Sequence, residues 1–382
     1  MNLLMISIGD TILSNPMGDA LVRQQEYADK LGHIDMIIFS PKKNHLNTKH
    51  YENLSIYPTK SMNMLTFIFD VLAIANEIFK VKKIDVITTQ DPFGTALAGY
   101  ILKMKYNIPL HIQNHSCFLN NRLWINEKPI LFSIFNQIAH FTLRHADRLR
   151  VVNTAEKEKY IHELGIPEAI IDIAPVPVNT EFWQNPPSEK EKLNFIQKYK
   201  IDINKPILSW AGRPVKVKNL PYLFSSIAKV QKENNVNFLI AGNMKNSYWD
   251  MVDLKNKFQL QPIYLGILSH QELKIMYYLT DIYLHTSNYE GFGLVVSDAQ
   301  ACGTVVVSRK TAGTQEIIED GKSGYLISTD ESDFANKILD ILLDKDLKDQ
   351  LSAYAKKMVS TKFDYYNMSL KIIESIKKSS VL

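Results

Sequence analysis

What most restricts the fold of this chain is an alternation of strand-length apolar runs with helical patterns, sustained through almost all of its 382 residues. In the first half the spacing predicts strands over Leu3–Ile8, Asp35–Ser40, Asp85–Gln90, Leu110–His115 and Leu149–Asn153. Between them it predicts helices, among them Asp19–Leu31, Met62–Lys80, Thr95–Lys105 and Ile130–Arg144. The second half repeats the rhythm with strands over Ile207–Gly212, Asn237–Gly242, Ile263–Gly266, Ile282–Ser287, Val305–Ser308 and Tyr325–Ile327. Continuous apolar strands separated by helices imply parallel sheets covered on both faces. The rhythm breaks at Val176–Ser188, where three prolines are expected to keep a regular element from continuing. The reading is an α/β chain of two doubly wound, Rossmann-like domains facing across a cleft, hinged at that break. Such sheets bind ligands beyond the carboxyl ends of their strands, so the loops there are where chemistry is expected.

Composition removes several classes. With 46% hydrophobic and 22% charged residues the chain can bury large cores and is not disordered. A net charge of +4 is too mild to demand nucleic acid. Cys117 and Cys302 are the only cysteines, which make neither a disulfide framework nor a zinc site and suit a reducing, cytoplasmic compartment. Leu3–Ile8 lacks a preceding basic segment and reads as a buried strand rather than a targeting signal. Met62–Phe79 carries Asp70 and Glu77, and Ile130–Leu143 is shorter than the roughly 20 residues needed to cross a bilayer. A soluble or peripheral protein is expected, with contact at the inner face of a membrane left open. In Ile130–Arg144, Leu131, Ile134, Phe135, Ile138 and Ala139 form an apolar stripe opposite Ser133, Gln137, His140 and Arg144. With few cations on the polar face, core packing is preferred to a membrane-surface role.

Common signatures are missing. No Gly-x-Gly-x-x-Gly follows a strand, and neither His-Glu-x-x-His nor Gly-x-Ser-x-Gly occurs. Gly321-Lys322-Ser323 precedes a strand and reads as a turn, and Asp344-Lys345-Asp346 lies between helices and reads as solvated surface. Two loops say more. In Trp210-Ala211-Gly212-Arg213-Pro214-Val215-Lys216-Val217-Lys218-Asn219, Gly212 permits a close turn, and Arg213 and Lys218 can aim a rigid fork and a mobile charge at one anion. The other reading is a basic loop with Asn219 capping the next helix. In Ser287–Ala299, Gly291 and Gly293 open amides at a helix start, a seat for phosphate. Glu290 stands beside that seat as an acceptor for sugar hydroxyls, with Asp298 eight positions on.

Glu290-Gly-Phe-Gly-Leu-Val-Val-Ser-Asp298 resembles the Glu-x7-Glu signature of retaining glycosyltransferases of the GT-B fold, family-four type (glycosyl transferases group 1). Gly212-Arg213…Lys218-Asn219 is similar to their donor-phosphate loop. Further matches are Ala146-Asp147-Arg148…Val151-Val152, Pro175-Val176-Pro177-Val178-Asn179 and Gly313-Thr314-Gln315-Glu316…Asp320-Gly321…Gly324. Two departures stand out: Asp298 replaces the second Glu, and the first loop, Pro16-Met17-Gly18-Asp19, has one glycine where a pair is common. The resemblance implies domains of residues 1–183 and 184–362, with a C-terminal segment 363–382 packing back on the first. It implies metal-independent transfer of a sugar from a nucleoside diphosphate to a saccharide or lipid-linked acceptor, in polysaccharide or glycolipid synthesis and with no cofactor.

By that resemblance Arg213 and Lys218 stabilise the leaving diphosphate, and Glu290 orients the donor sugar. Amides of Gly291, Phe292, Gly293 and Leu294 hold phosphate, Asp298 holds the ribose, and Gly212 and Gly18 bring backbone close to the substrates. His115 takes the position of the family's active-site histidine. Asn153, which could line the cleft, is read instead as one half of a capping box with Glu156. Two other readings stay open: a sugar-nucleotide epimerase of the same architecture, against which both pairs weigh, and a non-catalytic sugar-nucleotide-binding subunit, for which Asp298 is the one hint.

Overall fold

The computed structural model describes residues 1–9, 11–14, 19–64 and 66–380. The chain divides into two compact units, Met1–Pro175 with Tyr366–Leu382, and Val176–Tyr365. The first is built on eight strands: β1 Asn2–Ser7, β2 His33–Ile38, β3 Lys49–His50, β4 Leu54–Pro58, β5 Val86–Thr89, β6 Leu110–Asn114, β7 Arg148–Val151 and β8 Ile171–Ile173. Their order is β3-β4-β2-β1-β5-β6-β7-β8, parallel except for the two-residue β3. The strands read as unbroken apolar runs because both faces are covered. Leu4 and Ile6 of β1 join a core with the helices Phe67–Val81, Gly94–Tyr106 and Pro129–Arg144. Leu3 and Met5 point the other way, into a core shared with the helices Asp19–Leu31 and Tyr365–Ser379.

The last of these helices is fastened by more than apolar contact. Ile372, Ile373 and Ile376 are buried in that core. Beside them Ser375 Oγ lies 3.0 Å from His111 Nε2, whose Nδ1 is 2.9 Å from Thr88 Oγ1. Gln113 donates to the same threonine and accepts from buried Arg150, which also donates to the carbonyls of Ala174 and Pro175. Burial, then the charge of Arg150, pushes the His111 pKa down to about 3, so the ring is neutral here. Buried polar atoms therefore have partners along this chain of contacts, as a stable interior requires.

The second unit has six parallel strands: β9 Ile207–Ala211, β10 Asn237–Ala241, β11 Ile263–Gly266, β12 Ile282–His285, β13 Val305–Arg309 and β14 Tyr325–Ile327. Their order is β11-β10-β9-β12-β13-β14. Leu208 and Trp210 pack with Leu223, Phe224 and Ile227 of the helix Leu220–Glu233 and with Phe334 and Ile338 of the helix Glu331–Leu343.

Several elements differ from the sequence expectation. Strands β3, β4 and β8 carry too short or too mixed a pattern to stand out. The break contains a helix, Thr180–Gln184, because Asn179 caps it between Pro177 and Pro186. That helix belongs to the second unit, where the Trp183 carbonyl accepts from Tyr278 Oη and Cys302 Sγ, so the division falls at Pro175 rather than after Trp183. Asp344-Lys345-Asp346 is exposed surface as expected, and Asp344 also caps the helix Lys345–Lys362 through the Leu347 amide.

Only part of the stripe expected to pack in Pro129–Arg144 does so: Ala139 is buried and Phe135 and Ile138 are half-buried. Asn136, Ala139, Thr142 and Leu143 are the buried residues. Asn136 exchanges hydrogen bonds of 2.8 and 2.9 Å with Asn120, and Thr142 Oγ1 donates to the Pro92 carbonyl at 2.6 Å. Satisfying these amides and the hydroxyl decides which face of the helix is inside. Leu131 and Ile134 are left exposed.

Truncating Ile376 to Ala should expose how far the first unit depends on its last helix. A loss of about 2–5 kcal/mol is expected for a fully buried isoleucine, read as an earlier denaturant transition for that unit. An unchanged transition would mean the helix contributes little to that core.

Candidate active site

The second sheet reverses direction between β9 and β12: the chain leaves β9 toward β10 and returns past it to β12. The loops following these two strands flank the switch point, where open α/β sheets bind ligands. One carries Gly212, Arg213 and Lys218, the other Glu290 to Leu294. They are stitched together. The Asn288 amide donates to the Val217 carbonyl at 2.8 Å, and Thr286 Oγ1 donates to the Lys218 carbonyl at 2.9 Å. Lys218 Nζ reaches Glu290 Oε2 at 2.6 Å, with both side chains mostly shielded.

Two residues unmarked in the sequence complete this arrangement. His285, the last residue of β12, is buried with Nε2 3.5 Å from Glu290 Oε2, an electrostatic contact at the outer limit of a hydrogen bond. Arg309, the last residue of β13, donates through Nη1 to Asn288 Oδ1 and lies 4.8 Å above the Tyr222 ring. Asn219 donates to the same Asn288 oxygen at 3.0 Å. Asn219 thus spends its side chain on the neighbouring loop and makes no side-chain cap for the helix Leu220–Glu233. Arg309 and His285 could have been noticed as polar residues closing apolar strands, but no spacing ties them to Glu290.

The glycines have separate reasons. Gly293 has φ of 101°, a left-handed conformation at the start of the helix Leu294–Ala301. A Cβ on Gly313 would come within 2.7 Å of Gly291 and Phe292 backbone, and the Gly313 amide donates to the Glu290 carbonyl at 2.9 Å. That contact presses the start of the helix Ala312–Ile317 onto the Glu290 loop. Gly291, Phe292 and Gly293 are buried while Leu294 is exposed, so the seat read from the sequence lies at the surface end of this helix. Asp298 stands half-buried in the helix; burial raises the pKa values of Tyr277, Tyr283 and Cys302, and the Asp298 charge adds to that rise. Gly212 is half-buried against Trp210, and Arg213 is exposed.

Electrostatics single out Glu290. Burial alone would favour its neutral form, but His285 and the Lys218 ammonium outweigh it and hold the carboxyl far below the usual range. His285 is driven the other way by burial and by Lys218, with Glu290 opposing, and is a neutral ring. The result is a fixed carboxylate and a fixed ammonium, able to accept from hydroxyls and attract an anion.

The first unit turns over between β1 and β5. His115, after β6, is exposed, with Nε2 2.9 Å from Gln90 Oε1 at the end of β5. Desolvation where the ring meets the protein, then the charges of Arg150, Arg23 and His111, lowers its pKa, so the imidazole is neutral. Asp91 follows Gln90; burial raises its pKa, Oδ1 accepts from the Phe93 amide at 2.8 Å, and Oδ2 has no partner among the described residues. Gly18, assigned from the sequence to the substrates, lies outside the described residues. Asn153 caps the helix Thr154–Leu164, as read from the sequence. Glu156 instead turns inward, where Asn114 Nδ2 donates to its carboxyl at 3.2 Å and burial pushes its pKa up to about 7. Among the described residues no group of three or more His, Cys, Asp or Glu side chains forms a metal site, and no helix is long and apolar enough to cross a membrane.

Comparison with known proteins assigns the class to which these two α/β units and their switch-point loops belong. Residues 23–182 match the family model Glycosyltransferase Family 4, and residues 191–358 match Glycosyl transferases group 1. The chain belongs to the GT-B glycosyltransferases of the family-four type. The GPI3 subunit of phosphatidylinositol N-acetylglucosaminyltransferase from Saccharomyces cerevisiae is 24% identical over 361 residues, covering 90% of this chain and 75% of its own. Sucrose-phosphate synthase from Thermosynechococcus elongatus has the same fold, with a TM-score of 0.82 at 17% identity over 99% of this chain and 98% of that one. Anabaena HepE, solved with UDP and glucose, matches with a TM-score of 0.76 at 17% identity over 99% of this chain and all of its own.

A depressed Glu290 pKa makes a stability contribution that is complete above the unfolded carboxyl value and fades as pH falls toward the folded one. The stability difference between the native chain and Glu290→Gln should therefore be flat from neutral pH to about pH 5 and shrink below it, in denaturant titrations of the second unit. A difference that grows on acidification would contradict the ion-pair geometry.

Proposed function

We propose that this chain transfers a sugar from a nucleoside diphosphate to a saccharide or lipid-linked acceptor, with retention of anomeric configuration and without a metal ion. The observation that carries the reading is the Lys218–Glu290 pair, 2.6 Å apart at the switch point of the second sheet. Support also comes from HepE, a protein of the same fold solved with UDP and glucose.

The chemistry follows from charge. A departing diphosphate gains negative charge, and preorganised donors aimed at it lower the barrier most. Arg213 offers a planar fork from an exposed position, and Lys218 a point charge already oriented by Glu290. The amides around Phe292–Leu294 supply further donors at a helix start. Glu290, kept ionised, accepts from the hydroxyls of the donor sugar, and Asp298 from those of the ribose. The neutral His115 ring suits a hydrogen-bonding role toward the sugar better than proton transfer, and the leaving phosphate itself can take the acceptor's proton. In this reading nucleotide sugar is the substrate and no cofactor takes part.

Turnover of a panel of UDP-, GDP- and ADP-sugars, with the anomeric proton of the product followed by NMR, tests the class and the stereochemistry together. Product with inverted configuration would overturn retention, and change confined to the sugar of the donor would indicate an epimerase. Activity is expected to survive EDTA. Loss that Mg²⁺ restores would reject the metal-free phosphate site.

Substitutions separate the roles. Arg213→Ala should lower kcat by roughly 10²–10³-fold, the usual effect of removing one preorganised donor. Asp298→Ala should mainly raise the donor KM, because a ribose contact changes little during reaction, and Asp298→Glu should retain activity. An unaltered KM in Asp298→Ala would place Asp298 outside the donor site.

A further inference from the structure

We infer that the outward face of the helix Pro129–Arg144, with the short helix Arg122–Ile125 before it, is a docking surface for an anionic lipid bilayer. The inference goes beyond sugar transfer and rests on the first unit alone. Ile130, Leu131, Ile134 and Phe141 are 82, 42, 52 and 40% exposed and recur at the three- and four-residue spacing of one helix face. Leu123 on the short helix is 54% exposed, and Met104 on the adjacent helix Gly94–Tyr106 is 65% exposed. The two longer helices meet through Tyr100 and Phe141, whose rings lie 4.9 Å apart. Single exposed apolar residues are ordinary; a face of them on three neighbouring helices is not.

This face is held rigid from beneath. Trp124 stacks on Phe132 at 4.4 Å, and Phe93 stacks on Phe135 at 5.4 Å. With the Asn136–Asn120 exchange, these contacts fix the roll of the helix and keep Ile130, Leu131 and Ile134 in solvent. Folding has had apolar residues on both sides of this helix to choose from, and the polar pairing has decided which side faces out.

Charge selects the occupant. Between residues 122 and 144 the chain has three Lys and Arg against one acid, Glu127, while Lys103 on the adjacent helix is paired with Asp147 at 2.7 Å. Arg122, Lys128 and Arg144 are exposed and bracket the apolar face along its length. A second copy of this chain would bring the same cations together in an isologous contact. A bilayer with anionic headgroups meets both components, burying the apolar residues below the headgroups while the cations stay at their level.

The test is flotation of the full chain with vesicles of phosphatidylcholine, alone or mixed with phosphatidylglycerol. The native protein should float with the mixed vesicles, much less with phosphatidylcholine alone, and should be released by salt. The Ile130→Asn/Ile134→Asn double variant should lose binding on the order of tenfold or more, and Arg122→Ala and Lys128→Ala roughly fivefold each. Leu343→Asn, at a residue 82% exposed in the second unit, should bind as the native chain does. Near-unchanged melting of the variants shows that they remain folded. Their rate with a water-soluble acceptor should also be unchanged, so vesicle binding and sugar transfer fail or succeed independently. Absence of native flotation with mixed vesicles would overturn the proposal, as would equal flotation of the double variant. A dimer in sedimentation that the double variant abolishes, without vesicle binding, would reassign the face to self-association.

Discussion

The candidate site depends on how β9 and β12 pair. They share a register of only two positions, Leu208 with Ile282 and Ser209 with Tyr283, before their loops turn away. With parallel neighbours and crossovers of one hand, a sheet that grows in both directions must leave a crevice where it started. The loops bordering that point meet at their polar ends, where Lys218 and Glu290 pair at 2.6 Å. Asn288 locks the two loops by accepting from Asn219 and Arg309 while its amide donates to Val217. An ion pair that would contribute little on an open surface becomes a positioned charge when partly shielded and braced in this way.

Legibility in the sequence followed physical range. Parallel strands buried on both faces show as continuous apolar runs, so β1, β6, β9, β10, β12 and β13 were evident, whereas Ile171–Ile173 is three residues with a central Asp. Glu290 and the glycines around it were legible because a local turn demands them in order. Lys218 was legible as a cation in a loop, though its partner 72 positions away was not. His285 and Arg309 act only through contacts that the topology creates. The roll of the helix Pro129–Arg144 was beyond periodicity, since both of its sides carry apolar residues and the choice is made by Asn136 meeting Asn120. A pattern of periodic hydrophobicity says that a helix has a buried face, and polar pairing says which.

The two units manage buried polarity differently. In the second, ionised groups gather at the strand ends, where a ligand can use them. In the first, Arg150 is buried with neutral partners: two backbone carbonyls and Gln113. Burial lowers its pKa to about 10, which still leaves it cationic at neutral pH. Removing a partner from such a group costs more than the hydrogen bond itself, because a charge would be left buried and unpaired. The line from Arg150 through Gln113, Thr88 and His111 to Ser375 is therefore a structural element in its own right.

That line also has a consequence in time. His111 and Ser375 are separated by 264 positions, and the entire second unit lies between them in the chain. As the polypeptide leaves a ribosome, Leu3, Met5 and Ile34 emerge early but must wait for Ile372, Ile373 and Ile376 before their core is closed. The second unit is continuous and can complete itself in that interval. The part of the protein translated first is thus the part finished last, and until then one face of its sheet is open to chaperones and to misassembly.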